Sequence, residues 1–274
     1  MIKKYELTDE TVIVDGKTLH RIRALISYAD VKAGGLGGYV ESEDNLSHEG
    51  RCWIYHGAMV YGKARVCESA KVYDSAIIYG NAIVSGYAKV YGNAIISDDV
   101  RVCDKAEVYD DAIVRDSVWV YDNAKAYGRS RIRDSAKVHG DASVHGDAMV
   151  CDCADVHGWA HIYGNALIGG TATVSGRRVS VCYDGKVVAD AKVYGDAFIE
   201  SGRCVCSISG LGSRHESVTF YTERTPGKIN VTCGCFHGTL DEFEDAINNT
   251  YGDNLFGKEY LAAIAMAKLH FGIC

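Results

Sequence analysis

The sequence predicts an all-β parallel solenoid of about eight triangular coils, followed by a small α+β module. Three observations carry this reading. Residues 58–177 fall into twenty consecutive six-residue units without a gap, Ala-x-Val-x-Gly/Asp-x, as in Ala64-Arg-Val-Cys-Glu-Ser and Ala88-Lys-Val-Tyr-Gly-Asn. Their first position is Ala in seventeen units, with Val100, Val118 and Ser130 the exceptions. Their third is Val or Ile in nineteen, with Ala126 the exception. Proline occurs once, at Pro226, beside 30 glycines and 18 tyrosines, as suits a chain built from one repeated connection. The pattern slips by one residue near Arg177–Arg178 and then resumes at Val179, Gly185, Ala191 and Ala197, ending near Gly202.

Side chains alternate along a strand, so positions one and three share one side. Positions five and six carry Gly, Asp, Asn or Ser, which tolerate a sharp corner. A three-residue strand and a corner, repeated, make a prism, and three units close one coil. Coils stacked at the strand-pairing distance of roughly 4.8 Å give a rod on the order of 40 Å long. Ala beside each Val or Ile is what so narrow an interior requires.

In chain order, Thr11–Val14 and Lys17–Ser27 read as a hairpin around Asp15-Gly16. It caps an end that would otherwise expose backbone and apolar core. The glycines of 34–38 read as tight turns into the first coil. A phosphate cradle fits them less well, because no helix follows to supply a dipole. Beyond the coils, Val218–Thr222 and Ile229–Cys233 alternate as two strands around Pro226-Gly227. A helix follows, with Thr239 as N-cap and Glu242 completing a capping box. A second helix from about Phe256 to Phe271 carries Tyr260, Ile264, Ala267 and Phe271 along one stripe. The expected division is 1–51, hairpin and cap; 52–202, solenoid; and 203–274, a ββαα module larger than a cap needs to be.

The hexads resemble the left-handed β-helix of the hexapeptide-repeat superfamily, and the left hand is implied by that resemblance alone. The segment Asp30-Val-Lys-Ala-Gly-Gly-Leu-Gly-Gly-Tyr-Val40, with Asn45-Leu-Ser47 and Cys52-Trp-Ile54, is similar to the lead-in of a bacterial and prophage group labelled as acetyltransferases. The tail, through Val231-Thr-Cys-Gly-Cys-Phe-His-Gly-Thr-Leu-Asp-Glu-Phe243, resembles a module of phage-encoded proteins. The resemblance implies trimers and, for the enzymes, a histidine base with coenzyme A bound between subunits.

With eighteen residues per coil, outward positions eighteen apart form columns. The first face carries an aromatic ladder, Tyr55, Tyr73, Tyr91, Tyr109, Tyr127, His145 and Tyr163, beside Lys71, Lys89 and Lys125. Stacking for stability is its plain reading, and a strip for a partner or planar ligand the other. The second face carries Met59, Ile77, Ile95, Ile113, Arg131, Met149 and Leu167. An outward aliphatic stripe predicts a subunit interface, hence a homo-oligomer, with a trimer favoured. Arg131 interrupts that stripe, with Arg115 and Arg133 in the next column. These arginines either pair with Asp116 and Asp134 or, where symmetric subunits bring their copies together, form an anion pocket for phosphate or a nucleotide. The third face sets His139 and His157 in successive coils, read as solvated surface histidines. Twenty uninterrupted units leave no loop for an acceptor site, and the irregular stretch 177–190 offers Tyr183 and Asp184 but no histidine. Cys204-Val-Cys206 and Cys233-Gly-Cys235, with His237, lack the spacing of a zinc knuckle and read as small buried thiols.

A formal charge of −7 argues against general nucleic-acid binding. The N-terminus has no apolar leader region, and no apolar run would span a bilayer. Eleven cysteines, an odd number, point to reduced thiols in a cytoplasm, the host's if phage-encoded. The function expected is a non-enzymatic oligomeric scaffold of phage or prophage type, binding a host protein or a nucleotide-like anion. Counter-defence is one role open to such a scaffold. The alternative is an acyl-coenzyme-A-dependent acetyltransferase using His139, His145, His157 or His161. No cofactor, metal or catalytic residue is assigned.

Overall fold

A computed structural model describes residues 3–273. It is a parallel β-solenoid of about nine turns with a small C-terminal module of two helices and a sheet. The chain forms two compact units, Met1–Asp147 and Ala148–Cys274.

The first unit begins with an antiparallel hairpin, β1 (Tyr5–Val14) and β2 (Lys17–Ala24). Its turn residues Asp15 and Gly16 take φ of 50° and 75°, the left-handed pair that a two-residue hairpin demands. The hairpin starts earlier than the sequence pattern implied, because Tyr5 is buried and donates its hydroxyl to the carbonyls of Glu43 and Leu46. The next strand, β3 (Leu36–Val40), pairs antiparallel with β2 and parallel with Met59–Val60. It therefore joins the hairpin to the coils in one sheet. The glycines of 34–38 divide their work. Gly34 makes the turn at φ 81°. Gly37 and Gly38 lie buried in β3, where a Cβ would collide with the carbonyls of Ile54, Tyr55 and Ala58. Protein backbone thus fills the space that a phosphate would need. Because β3 and the bridge from Leu46 to Val66 act as rungs without the six-residue pattern, the turns exceed the eight expected.

The rungs themselves are two-residue strands, shorter than the three expected. Within this unit the rungs pair with one another in parallel, with partners eighteen residues apart, as in Lys71, Lys89 and Glu107, or Ile77, Ile95 and Ile113. The alanines and valines at positions one and three are buried throughout. Position five is the corner. It is occupied by Gly, by Asp74, Asp98, Asp104, Asp110, Asp116, Asp122 and Asp134, or by Glu68, all left-handed with φ between 56° and 73°. The carboxylates from Glu68 to Asp122 also accept the amide of the corner one turn on. Gly92 donates to Asp74 at 3.2 Å, Asp116 to Asp98 at 3.2 Å, and Asp134 to Asp116 at 3.0 Å. Position six carries a second tie, Asn81 to Asp99, Asn93 to Asp111 and Asn123 to Asp141, each near 2.9–3.0 Å.

The second unit contains rungs of the same kind, and there the partners shift from eighteen to nineteen residues apart. His161 pairs with Ser180, Leu167 with Lys186 and Thr173 with Lys192. The slip at Arg177–Arg178 is therefore a single inserted residue absorbed at a corner, and Ser180 with Phe198 restores the period. The C-terminal module departs from the ββαα expectation. Two further strands flank the predicted pair, giving an antiparallel sheet of β4 (Val205–Leu211), β5 (Glu216–Thr222), β6 (Ile229–Cys233) and β7 (Phe236–Thr239). Helices α1 (Leu240–Tyr251) and α2 (Leu255–Phe271) follow. Thr239 and Glu242 form the capping box, and Phe220, Val231, Phe243, Ile247, Tyr260 and Ile264 form the core. The module covers the last rungs. Lys192 donates its amide to Thr219 at 3.0 Å, Thr222 its hydroxyl to the Phe198 carbonyl at 2.8 Å, and Arg224 a guanidinium N–H to Ser180 at 3.0 Å.

Candidate functional site

The outward columns of the faces carry most of the side chains that the sequence singles out. On the first face of the first unit, the aromatic column forms a continuous stack. Ring centroids are 5.3 Å apart for Tyr73–Tyr91, 4.7 Å for Tyr91–Tyr109, 4.8 Å for Tyr109–Tyr127 and 4.6 Å for Tyr127–His145. The last three pairs lie within 8° of parallel. Ring faces covered by one another are closed to a planar ligand, which favours the stabilising reading. Burial and neighbouring carboxylates push the Tyr73, Tyr91 and Tyr109 phenols up to about 12. Glu107, which column reading passed over, lies between Lys89 at 2.9 Å and Lys125 at 3.9 Å and offsets part of their charge. Tyr163, assigned to the same column, lies in the second unit and meets Tyr183 at 6.5 Å.

The stack is broken at its N-terminal end. Tyr55 sits at 73° to Tyr73 because its hydroxyl donates to Asp30 at 2.6 Å, and Asp30 also holds Lys71 at 2.9 Å. That hydrogen bond, with Lys71, keeps the Asp30 carboxyl below the usual carboxylate range. A cleft of about 540 Å³ opens here, lined by Leu36, Tyr55, His56, Lys71, Tyr73 and Lys89 among others.

On the second face Met59, Ile77, Ile95 and Ile113 stand in register, each half-buried by its neighbours and still reaching solvent. Met149 and Leu167 hold the equivalent column in the second unit. Arg131 follows Ile113 in register, is exposed, and makes no side-chain ion pair or hydrogen bond among the described residues. Arg115 lies 3.7 Å from Asp116, and Arg133 lies 3.5 Å from Asp134.

On the third face Arg101 covers the ring of Trp119 at 4.8 Å, and Tyr121 stacks on His139 at 4.5 Å. His139 Nδ1 lies 3.7 Å from Asp122. In the second unit His157 Nδ1 is 2.9 Å from the hydroxyl of Ser175, its neighbour eighteen residues on in the same outward column. His161 is exposed, and His145 belongs to the tyrosine stack. Every described cysteine carries a free thiol. No three of Cys204, Cys206, Cys233, Cys235 and His237 bring ligand atoms within 4.8 Å of one another.

No family model matches the chain. Over 80 aligned residues it is 32% identical to a protein of Escherichia coli strain K12 named Uncharacterized acetyltransferase YdcK. The alignment covers 26% of this chain and 24% of that protein, about a quarter of the relative's length. This match and the solenoid together fit a hexapeptide-repeat β-helix. No helix among the described residues is long and apolar enough to cross a membrane.

Proposed function

We propose that the protein is a non-catalytic binding scaffold that works as a homo-oligomer in a reducing compartment. One observation carries the reading: the twenty six-residue units run without a loop excursion, so no segment leaves the prism to build an acceptor site. The side chains that could do chemistry are engaged with one another instead. Tyr91, Tyr109, Tyr127 and His145 stack, and His139 is stacked on Tyr121. The aliphatic column from Met59 to Ile113 supplies a face for a second copy, and the free thiols support a cytoplasmic setting. Within this reading the captured partner is a nucleotide-like anion or another protein.

A second reading, acetyl transfer from coenzyme A, is favoured by the printed name of the Escherichia coli relative and by the His157–Ser175 contact, which could hold an imidazole ready as a general base. Incubation with acetyl-coenzyme A and a panel of amine and hydroxyl acceptors separates the two. Release of free thiol no faster than the uncatalysed background is expected. Release that falls when His157 is replaced by Ala would overturn the scaffold reading.

A further inference from the structure

We propose that Lys4 and Cys52 are a modification site, joined by a covalent nitrogen–sulfur link when the protein meets a hydroperoxide. The link would fasten the start of the N-terminal hairpin to the start of the coils. Both residues lie in the first unit. Lys4 immediately precedes β1 and is 2% exposed, and Cys52 is fully buried. Lys4 Nζ donates to Cys52 Sγ at 3.3 Å, and to the carbonyls of Cys52 at 3.1 Å and Glu49 at 3.4 Å. The ring of Tyr28 lies 5.1 Å from the same nitrogen.

Lysine is almost never fully buried without an acid, because an ammonium taken out of water needs a counter-charge. Among the described residues Lys4 Nζ meets carbonyl oxygens, an aromatic ring and one thiol, and no carboxylate. Cys52 is therefore the one contact that can supply a negative charge. Burial pushes its thiol up, while the charge and hydrogen bond of Lys4 oppose that push. Any thiolate formed here forms through Lys4. The other close neighbours of Sγ are the carbonyls of Ser47 at 3.5 Å and Glu49 at 3.6 Å, which cannot attack an oxidised sulfur. The Lys4 nitrogen can.

The step balances with hydrogen peroxide as the oxidant. The Cys52 thiolate attacks one peroxide oxygen, so an S–O bond forms and the O–O bond breaks. The departing hydroxide takes a proton from the Lys4 ammonium and leaves as water. Sulfur is now a sulfenic acid, oxidised by two electrons, and the peroxide is reduced. The freed Lys4 amine then attacks that sulfur. An S–N bond forms, the S–O bond breaks, and hydroxide leaves with the amine proton as a second water. Two equivalents of a thiol reductant reverse the link, returning amine and thiol and leaving as their own disulfide. Cys52 follows directly on the exposed bend of residues 49–51, and local opening of that bend admits so small an oxidant.

Peptide mapping of the full chain tests the site. The protein is treated with hydrogen peroxide, quenched, unfolded, alkylated at its remaining thiols and cut after glutamate. Mass spectrometry should find the Lys4 peptide joined to the Cys52 peptide, two hydrogens lighter than their sum, and dithiothreitol should separate them. Treated protein should also melt several degrees higher until reduced, because the link closes the hairpin into a loop. Lys4→Met should lose the link, and Lys4→Arg, which keeps the charge should Met disturb the fold, should lose it too. Three results overturn the site: a wild-type Cys52 that stays unlinked while the exposed Cys153 and Cys235 are oxidised, a disulfide from Cys52 to Cys67 instead, or a link that persists in Lys4→Met.

Discussion

A left-handed residue at every corner fixes what each sixth residue of this chain must be. Asp110 sits at φ 56° and its carboxylate accepts the Gly128 amide at 3.2 Å. Replacing Asp110 by Val should cost about 1–2 kcal/mol through the backbone conformation alone, and more through the lost acceptor. Asp110→Gly keeps the conformation and should cost about 1 kcal/mol or less. Thermal denaturation of both variants checks the order, and equal losses would mean that the corner conformation carries no penalty. The sequence pattern located the corner but grouped positions five and six together. The special backbone belongs to position five, while position six contributes Asn–Asp ties that become visible only when residues eighteen apart are laid side by side. A second expectation concerns the ring stack. The Tyr73, Tyr91 and Tyr109 phenols are raised from 10.0 to about 12 in the folded chain. Their contribution to stability is therefore full below pH 10 and is lost as pH rises towards 12. Tyrosinate absorbance during an alkaline titration should lag that of the unfolded chain, and coincident curves would contradict the burial of the stack.

Within an element, volume decides. The interior takes one Ala and one Val or Ile per rung, and Ala106 and Val108 are both fully buried. Enlarging Ala106 to Leu should cost roughly 1–3 kcal/mol, the usual penalty for overfilling a packed core, measured as a drop in denaturation midpoint. The rungs were legible because their period repeats twenty times, so single exceptions such as Ser130 and Ala126 do not blur it. The module was half legible. Its α1 cap was readable from Thr239 and Glu242, since capping is local. Its outer strands were not. Val205–Leu211 is rich in Ser, Cys and Gly, and its residues are mostly half-buried or exposed, so no apolar alternation marks it. Phe236–Thr239 is four residues long and contains Gly238, and its strand state comes from pairing with Ile229–Cys233, a tertiary effect. The candidate surfaces divide the same way. Columns of like residues could be read from spacing. The pairing of Asp30 with Tyr55 and Lys71 joins the lead-in to the coils and depends on side-chain reach that the eighteen-residue spacing does not encode.

For the molecule as a whole, the question is what covers the aliphatic column. Ile77, Ile95 and Ile113 stand in register on a flat, loop-free face, and stacking within the sheet hides only part of each. Removing such a side chain fully from water is worth roughly 1.5–3 kcal/mol, so several in a row favour association with a second copy of the same face. A closed ring of three copies would bring three such columns together without leaving an unpaired face. Ile95→Glu places a charge at the centre of the column and would be buried unpaired on assembly, whereas Ile83→Glu changes a half-buried outward residue on the third face. Size exclusion with light scattering should give a mass of three chains for the wild type and for Ile83→Glu, and monomers or aggregates for Ile95→Glu. A monomeric wild type, or an Ile95→Glu variant that keeps the native mass and melting temperature, would place the interface elsewhere and leave this column as an ordinary, partly solvated sheet face.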